Sequence, residues 1–95
     1  MKRGWVYILA SRRNGTVYIG VTSNLAARLW QHRQRPRGFT GRHTVRMLVH
    51  VEEYPTIAEA IAREKAMKKW LRAWKLELIE KDNPHWKDLA PLILA

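Results

Sequence analysis

The chain has 95 residues, 46% of them apolar types, with five Trp and no Cys. That length fits one packed domain and excludes a multidomain machine, while the missing cysteines exclude a disulfide scaffold, a thiolate zinc site and a cysteine nucleophile. The net charge of +10 is unevenly placed: residues 1–51 hold ten Lys or Arg and no acid, and residues 52–95 hold eight of each sign. A field of that sign attracts polyanions, nucleic acid first among them, and leaves only residues from position 52 onward able to offer a carboxylate to a metal. No apolar run approaches the roughly 18 residues of a spanning helix. The opening Met1-Lys2-Arg3 is followed by only Trp5 to Ala10 before Ser11, Arg12 and Arg13. The expectation is a cytoplasmic protein with no signal peptide and no membrane partner.

Trp5–Ala10 and Thr16–Val21 are short runs rich in Val, Ile and Tyr around Ser-Arg-Arg-Asn-Gly, and Asn14-Gly15 is a tight-turn signal, so the chain opens with a predicted β-hairpin. If its loop holds an even number of residues, Trp5, Tyr7, Leu9, Thr16, Tyr18 and Gly20 share one face, and Val6, Ile8, Val17, Ile19 and Val21 the other. Thr22, Ser23 or Asn24 can cap a helix running to about Arg33, with Leu25, Arg28, Leu29 and His32 on one side. The stretch from Gln34 to Arg46 reads as a basic loop, and Met47–Val51, ending near Glu53, as a third strand. Pro55-Thr56 opens a helix over about Ile57–Leu71, and Trp74–Glu80 is a further helix ended by Asp82-Asn83-Pro84. A tail with Trp86, Leu89, Leu92, Ile93 and Leu94 carries enough apolar surface to dock on the body. The fold class expected is α+β, a three-stranded antiparallel sheet flanked by helices in the order β-β-α-β-α-α.

Some residues sit where a structural role does not ask for them. Glu64 lies in the apolar stripe of its helix, where an unpaired charge costs several kcal/mol. Its partner is either Lys68, one turn on, or a divalent cation. Arg28 and His32 lie on the leucine face of the first helix, four residues apart, so that a planar fork suited to phosphate and a group able to move a proton near neutral pH can reach one target. The alternative is that both reach solvent from the edge of the stripe. Arg12, Arg13, Arg35, Arg37 and Arg42 belong to the acid-free half and are read, with Arg28 and Lys68, as phosphate contacts. His43, His50 and His85 have poor metal spacing.

Taken in order, Trp5-Val6-Tyr7, Tyr18-Ile19-Gly20, Thr22, Arg28, His32 and Glu64 resemble the GIY-YIG nuclease superfamily over roughly residues 4 to 81. The chain looks most similar to small standalone bacterial members, which end in an Asn-Pro-x-Trp segment like Asn83-Pro84-His85-Trp86. Trp5 replaces the glycine of the first motif and Val6 its isoleucine, and Asn83 is the only late Asn available to match one that the family tends to carry near its metal. The resemblance implies a metal-dependent endonuclease acting on DNA. Glu64 would hold Mg²⁺, or Mn²⁺, with water filling the remaining positions, and Arg28 would neutralise charge on the phosphate. Tyr7 or Tyr18 would be the general base, with His32 accepting or relaying the proton. Ionising an ordinary tyrosine at neutral pH costs about 4 kcal/mol, so surrounding cations are expected to lower its pKa. The competing expectation is a non-catalytic basic DNA- or RNA-binding module, with Trp30 available for stacking.

Overall fold

A computed structural model describes residues 2–34 and 46–94. Its elements are β1 (Gly4–Ala10), β2 (Val17–Thr22), α1 (Leu25–Gln34), β3 (Met47–Tyr54), α2 (Ile57–Lys68), α3 (Arg72–Asp82) and α4 (Ala90–Leu94). The strands form one antiparallel sheet in the order β2-β1-β3. The β-β-α-β-α-α order is met and continued by α4, a short helix that the sequence pattern does not announce.

The hairpin has the parity that its side chains need. Tyr7 faces Gly20 and Leu9 faces Tyr18 across the ladder, and Ser11 N donates to Thr16 O at 3.0 Å, leaving the four residues Arg12–Gly15 as the loop. Asn14 takes a left-handed φ of 57° there, a conformation that Asn tolerates better than most residues. An even loop sends the two strand faces to opposite sides of the sheet, as the period of two requires. Val6, Ile8, Ala10 and Ile19 pack on one side with Val49, Ala60, Met67, Ile79 and Trp86. Tyr7, Leu9 and Leu48 pack on the other with Leu25, Leu29 and Ala90. The sheet is therefore a central layer, with α2 and α3 over one face and α1 and α4 over the other.

Local chemistry sets the helix ends. Asn24 caps α1 by accepting from Ala27 N at 3.1 Å, and Thr56 caps α2 by accepting from Glu59 N at 3.2 Å. The pairing of β1 with β3 slips between Ile8 and Leu9, which makes Val49 a bulge. The tail repairs that edge. Asn83 Nδ2 donates to Val49 O at 3.2 Å and to Lys87 O at 2.9 Å, while its Oδ1 accepts from Lys87 N at 2.9 Å. Farther on, Leu89 N donates to Leu48 O at 2.7 Å, and Asp88 Oδ1 accepts from Leu48 N at 2.9 Å. The docking expected of the tail holds for Trp86, which is buried, and for half-buried Leu89. It fails at Leu92, Ile93 and Leu94, which stay exposed, because α4 presses only Ala90 onto the core and turns its remaining side chains outward.

Candidate active site

Tyr7 points across the hairpin toward β2. The reason is Gly20: a Cβ there would come within 2.4 Å of the Tyr7 Oη, so only glycine leaves room for the ring. The Tyr7 and Tyr18 ring centres lie 6.4 Å apart. Helix α1 lays His32 against both, with ring-centre distances of 6.0 Å to Tyr7 and 5.9 Å to Tyr18, each edge to face. Tyr7 Oη and His32 Nε2 are 3.3 Å apart, the donor set by the imidazole tautomer. Leu25 and Leu29 fix the rotation of α1 by burial. His32 is consequently half-buried at the tyrosines, and Arg28, on the same side of the helix, is exposed.

Glu64 is buried on α2, and Arg28 and Glu64 both act on the Tyr7 hydroxyl electrostatically, in opposite directions. Burial is the largest influence on Tyr7 and raises its pKa; Tyr18 and Glu64 raise it further, and Arg28 lowers it. This corrects the expectation that the basic surroundings lower the tyrosine pKa, as far as Tyr7 is concerned. Its hydroxyl lies in the core under α1, where desolvation of a phenolate outweighs a single guanidinium that faces solvent. The His32 pKa is lowered, first by burial and then by Arg28. The imidazole is therefore neutral at pH 7 and able to accept a proton.

The two partners considered for Glu64 resolve in part: Lys68 Nζ lies 2.7 Å from its carboxylate. Lys68 is itself largely exposed, so it can leave without unpacking the helix. Among the described residues no three His, Asp or Glu side chains converge. Glu64 is the one carboxylate with an electrostatic effect on Tyr7, and a single carboxylate fits a hard cation that keeps most of its waters. Asn83 holds the tail with both ends of its amide. Arg12 and Arg13 are exposed on the hairpin loop. Arg35, Arg37 and Arg42 lie outside the described residues.

Pattern reading passes over a second polar cluster, on the opposite side of the sheet. Glu52 receives hydrogen bonds from Tyr54 Oη at 2.7 Å and from Arg63 Nε and Nη2 at 2.9 and 3.2 Å, and lies 2.8 Å from His50 Nε2. Burial pushes its pKa up, but hydrogen bonds from His50, Arg63 and Tyr54 and the Arg63 charge win and bring it to about 2. The Arg63 guanidinium also lies 4.9 Å from the centre of the Trp70 ring. The available signal was the period of two that puts His50, Glu52 and Tyr54 on one face of β3.

The layered sheet and the tyrosine–histidine cluster define a GIY-YIG fold. The chain belongs to the GIY-YIG catalytic domain family, whose profile matches residues 3–77, and so to a nuclease superfamily whose substrate is nucleic acid. It is 37% identical over 86 residues to a UPF0213 protein of Syntrophus aciditrophicus (strain SB), covering 88% of this chain and 97% of that one. The solution NMR structure of a UPF0213 protein from Bacillus halodurans is similar over 98% of this chain and 99% of its own, with a TM-score of 0.57 and 26% identity. Among the described residues no helix is long and apolar enough to cross a membrane.

Proposed function

We propose that this protein is a divalent-metal-dependent endonuclease that hydrolyses DNA phosphodiester bonds with low sequence specificity and selects its targets by the form of the DNA. One observation carries the reading: Tyr7, Tyr18 and His32 meet within 6.4 Å, centre to centre, where Arg28 and Glu64 both act on Tyr7. Two phenols, an imidazole and a guanidinium on one side of the sheet, with a buried carboxylate from α2 within electrostatic reach of Tyr7, exceed what a structural core needs. Hydrolysis of a phosphodiester uses each of them.

In this reading Glu64 would hold a divalent cation, Mg²⁺ or Mn²⁺, once Lys68 swung away, and that cation would supply polarisation of the phosphate. Arg28 meets the nonbridging oxygens with its planar fork and offsets the charge that builds on them. Because burial keeps the Tyr7 phenol protonated, the acceptor at neutral pH is His32. His32 takes the proton of the attacking water, and Tyr7 Oη, 3.3 Å from its Nε2, holds the ring in place. Tyr18 closes the other side of the imidazole and holds its plane. Low sequence specificity follows from a surface of Arg and Lys, which contact phosphates and carry no base information.

The test is cleavage of labelled single-stranded, duplex, flapped and branched DNA and one RNA strand, in Mg²⁺, Mn²⁺ or EDTA, with binding recorded in parallel. Cutting with the divalent cation and none in EDTA, faster on flapped or branched DNA than on plain duplex, is the expected result. Equal rates on flapped and plain duplex would remove the dependence on DNA form. Binding without cutting in either Mg²⁺ or Mn²⁺ would leave a binding module on this scaffold.

A further inference from the structure

The near-balance of charge in the second half of the chain hides a local excess: between Glu64 and Glu77 there are five Lys or Arg and no acid. That segment is the corner between α2 and α3, and the fold carries it to the tip of the hairpin. Arg72 Nη2 donates to Asn14 O at 2.9 Å and to Gly15 O at 2.6 Å, latching the β1–β2 loop onto the start of α3. Those acceptors are neutral carbonyls, so the guanidinium is satisfied as a donor without being neutralised. Arg12 and Arg13 stand exposed on the latched loop. Lys69 ends α2 three residues before Arg72, and Lys75 lies one turn, about 5 Å, farther along α3. Lys68, the partner of Glu64, joins this corner to the site above.

We infer that the latched hairpin tip and the α2–α3 corner form one phosphate-binding ledge for the backbone of duplex DNA, presented by Arg12, Arg13, Lys69 and Lys75 and held in shape by Arg72. The inference rests on the nucleic-acid reading above and adds where the strand runs on leaving the tyrosine site. A structural latch alone asks for Arg72 and nothing more. It does not account for four further cations on both latched segments with no carboxylate among them, an arrangement whose self-repulsion a polyanion relieves. A phosphate backbone is negative throughout and suits cations gathered on two joined segments. Arg72 is here a positioning residue: it fixes the loop that carries Arg12 and Arg13.

The experiment measures binding of a labelled 20-base-pair duplex in EDTA across a salt series, so that no cleavage intervenes. The double variant Lys69→Glu/Lys75→Glu is compared with Lys81→Glu/Lys87→Glu, which lowers the net charge equally at exposed positions outside the ledge. The ledge pair is expected to lose about tenfold or more in affinity, with the salt slope reduced by about two; the control pair is expected to stay within about twofold. Arg72→Met, checked for folding by its melting curve, is expected to lower affinity and to make a further Arg12→Ala/Arg13→Ala change nearly silent. If a charge-reversed pair fails to fold, the Gln versions are compared instead, with the same ordering expected. Equal losses in both pairs, or no loss in either, would overturn the ledge while leaving the nuclease reading intact. Absence of duplex binding by the wild type would overturn both.

Discussion

At the scale of single residues, the chemistry depends on how Tyr7 is housed. Gly20 gives the ring its path and the α1 leucines bury it, so the phenol keeps its proton and the neutral His32 beside it is the proposed acceptor. Gly20→Ala should push the Tyr7 hydroxyl out of place, lowering stability by roughly 1–3 kcal/mol and cleavage with it. Denaturant melts beside initial rates read both, and an unchanged rate would mean that the placement of Tyr7 is immaterial. His32 has a folded pKa below its ordinary value, so its neutral form is favoured in the folded state. The stability this gives is present above about pH 6.5 and lost as pH falls toward the folded pKa. The acid limb of cleavage should accordingly have its midpoint below about 6.5, and His32→Ala should lose that limb together with roughly 100-fold or more in rate. A pH–rate profile of both proteins checks this, and a limb that persists in the variant would assign it to another group.

At the scale of elements, how much the sequence discloses depends on whether a feature is periodic. The hairpin faces follow from alternation and an even loop, and the helical stripes place Leu25, Leu29, Ala60 and Met67 inward. Arg28, His32 and Glu64 stand out because each breaks an apolar stripe, whereas Tyr7 and Tyr18 fit the strand alternation and stand out only through the family resemblance. The bulge at Val49, the α4 turn and the pKa of Tyr7 were not legible, since each depends on what packs over a residue rather than on what neighbours it in the chain. Asn83 illustrates the difference: order in the chain made it a match for a residue near the metal, and contact makes it the clasp of the tail. Asn83→Ala should cost roughly 1–3 kcal/mol through the buried groups it leaves unpaired, while the Mg²⁺ concentration that half-saturates cleavage stays put. A shifted metal requirement would return Asn83 to the site. The Glu52 clamp makes a separate prediction. Its folded pKa of about 2 lies below its usual 4.5, so its stabilisation is present above pH 4.5 and lost as pH falls toward 2. Thermal melts of Glu52→Gln should show a lower Tm than wild type at neutral pH and a smaller loss on acidification through that window.

At the scale of the whole molecule, charge and chemistry are arranged around the hairpin. The acid-free first half supplies the strands of the hairpin, the α1 cations and the loop, while the second half supplies the buried carboxylate, the clamp that fixes α2 on β3, and the tail that closes the β3 edge. Neither half holds the site alone, because Tyr7 and His32 come from one and Glu64 from the other. Whether Glu64 is buried for catalysis or to pair with Lys68 is decided by comparing wild type, Glu64→Ala and Lys68→Met for Mg²⁺-dependent cleavage and for DNA binding in EDTA. With a catalytic Glu64, Glu64→Ala still binds DNA but cuts roughly 1,000-fold or more slowly, a loss of about 4 kcal/mol in transition-state stabilisation, while Lys68→Met still cuts. Glu64→Ala cutting at the wild-type rate, or Lys68→Met failing to the same degree, would contradict a catalytic Glu64.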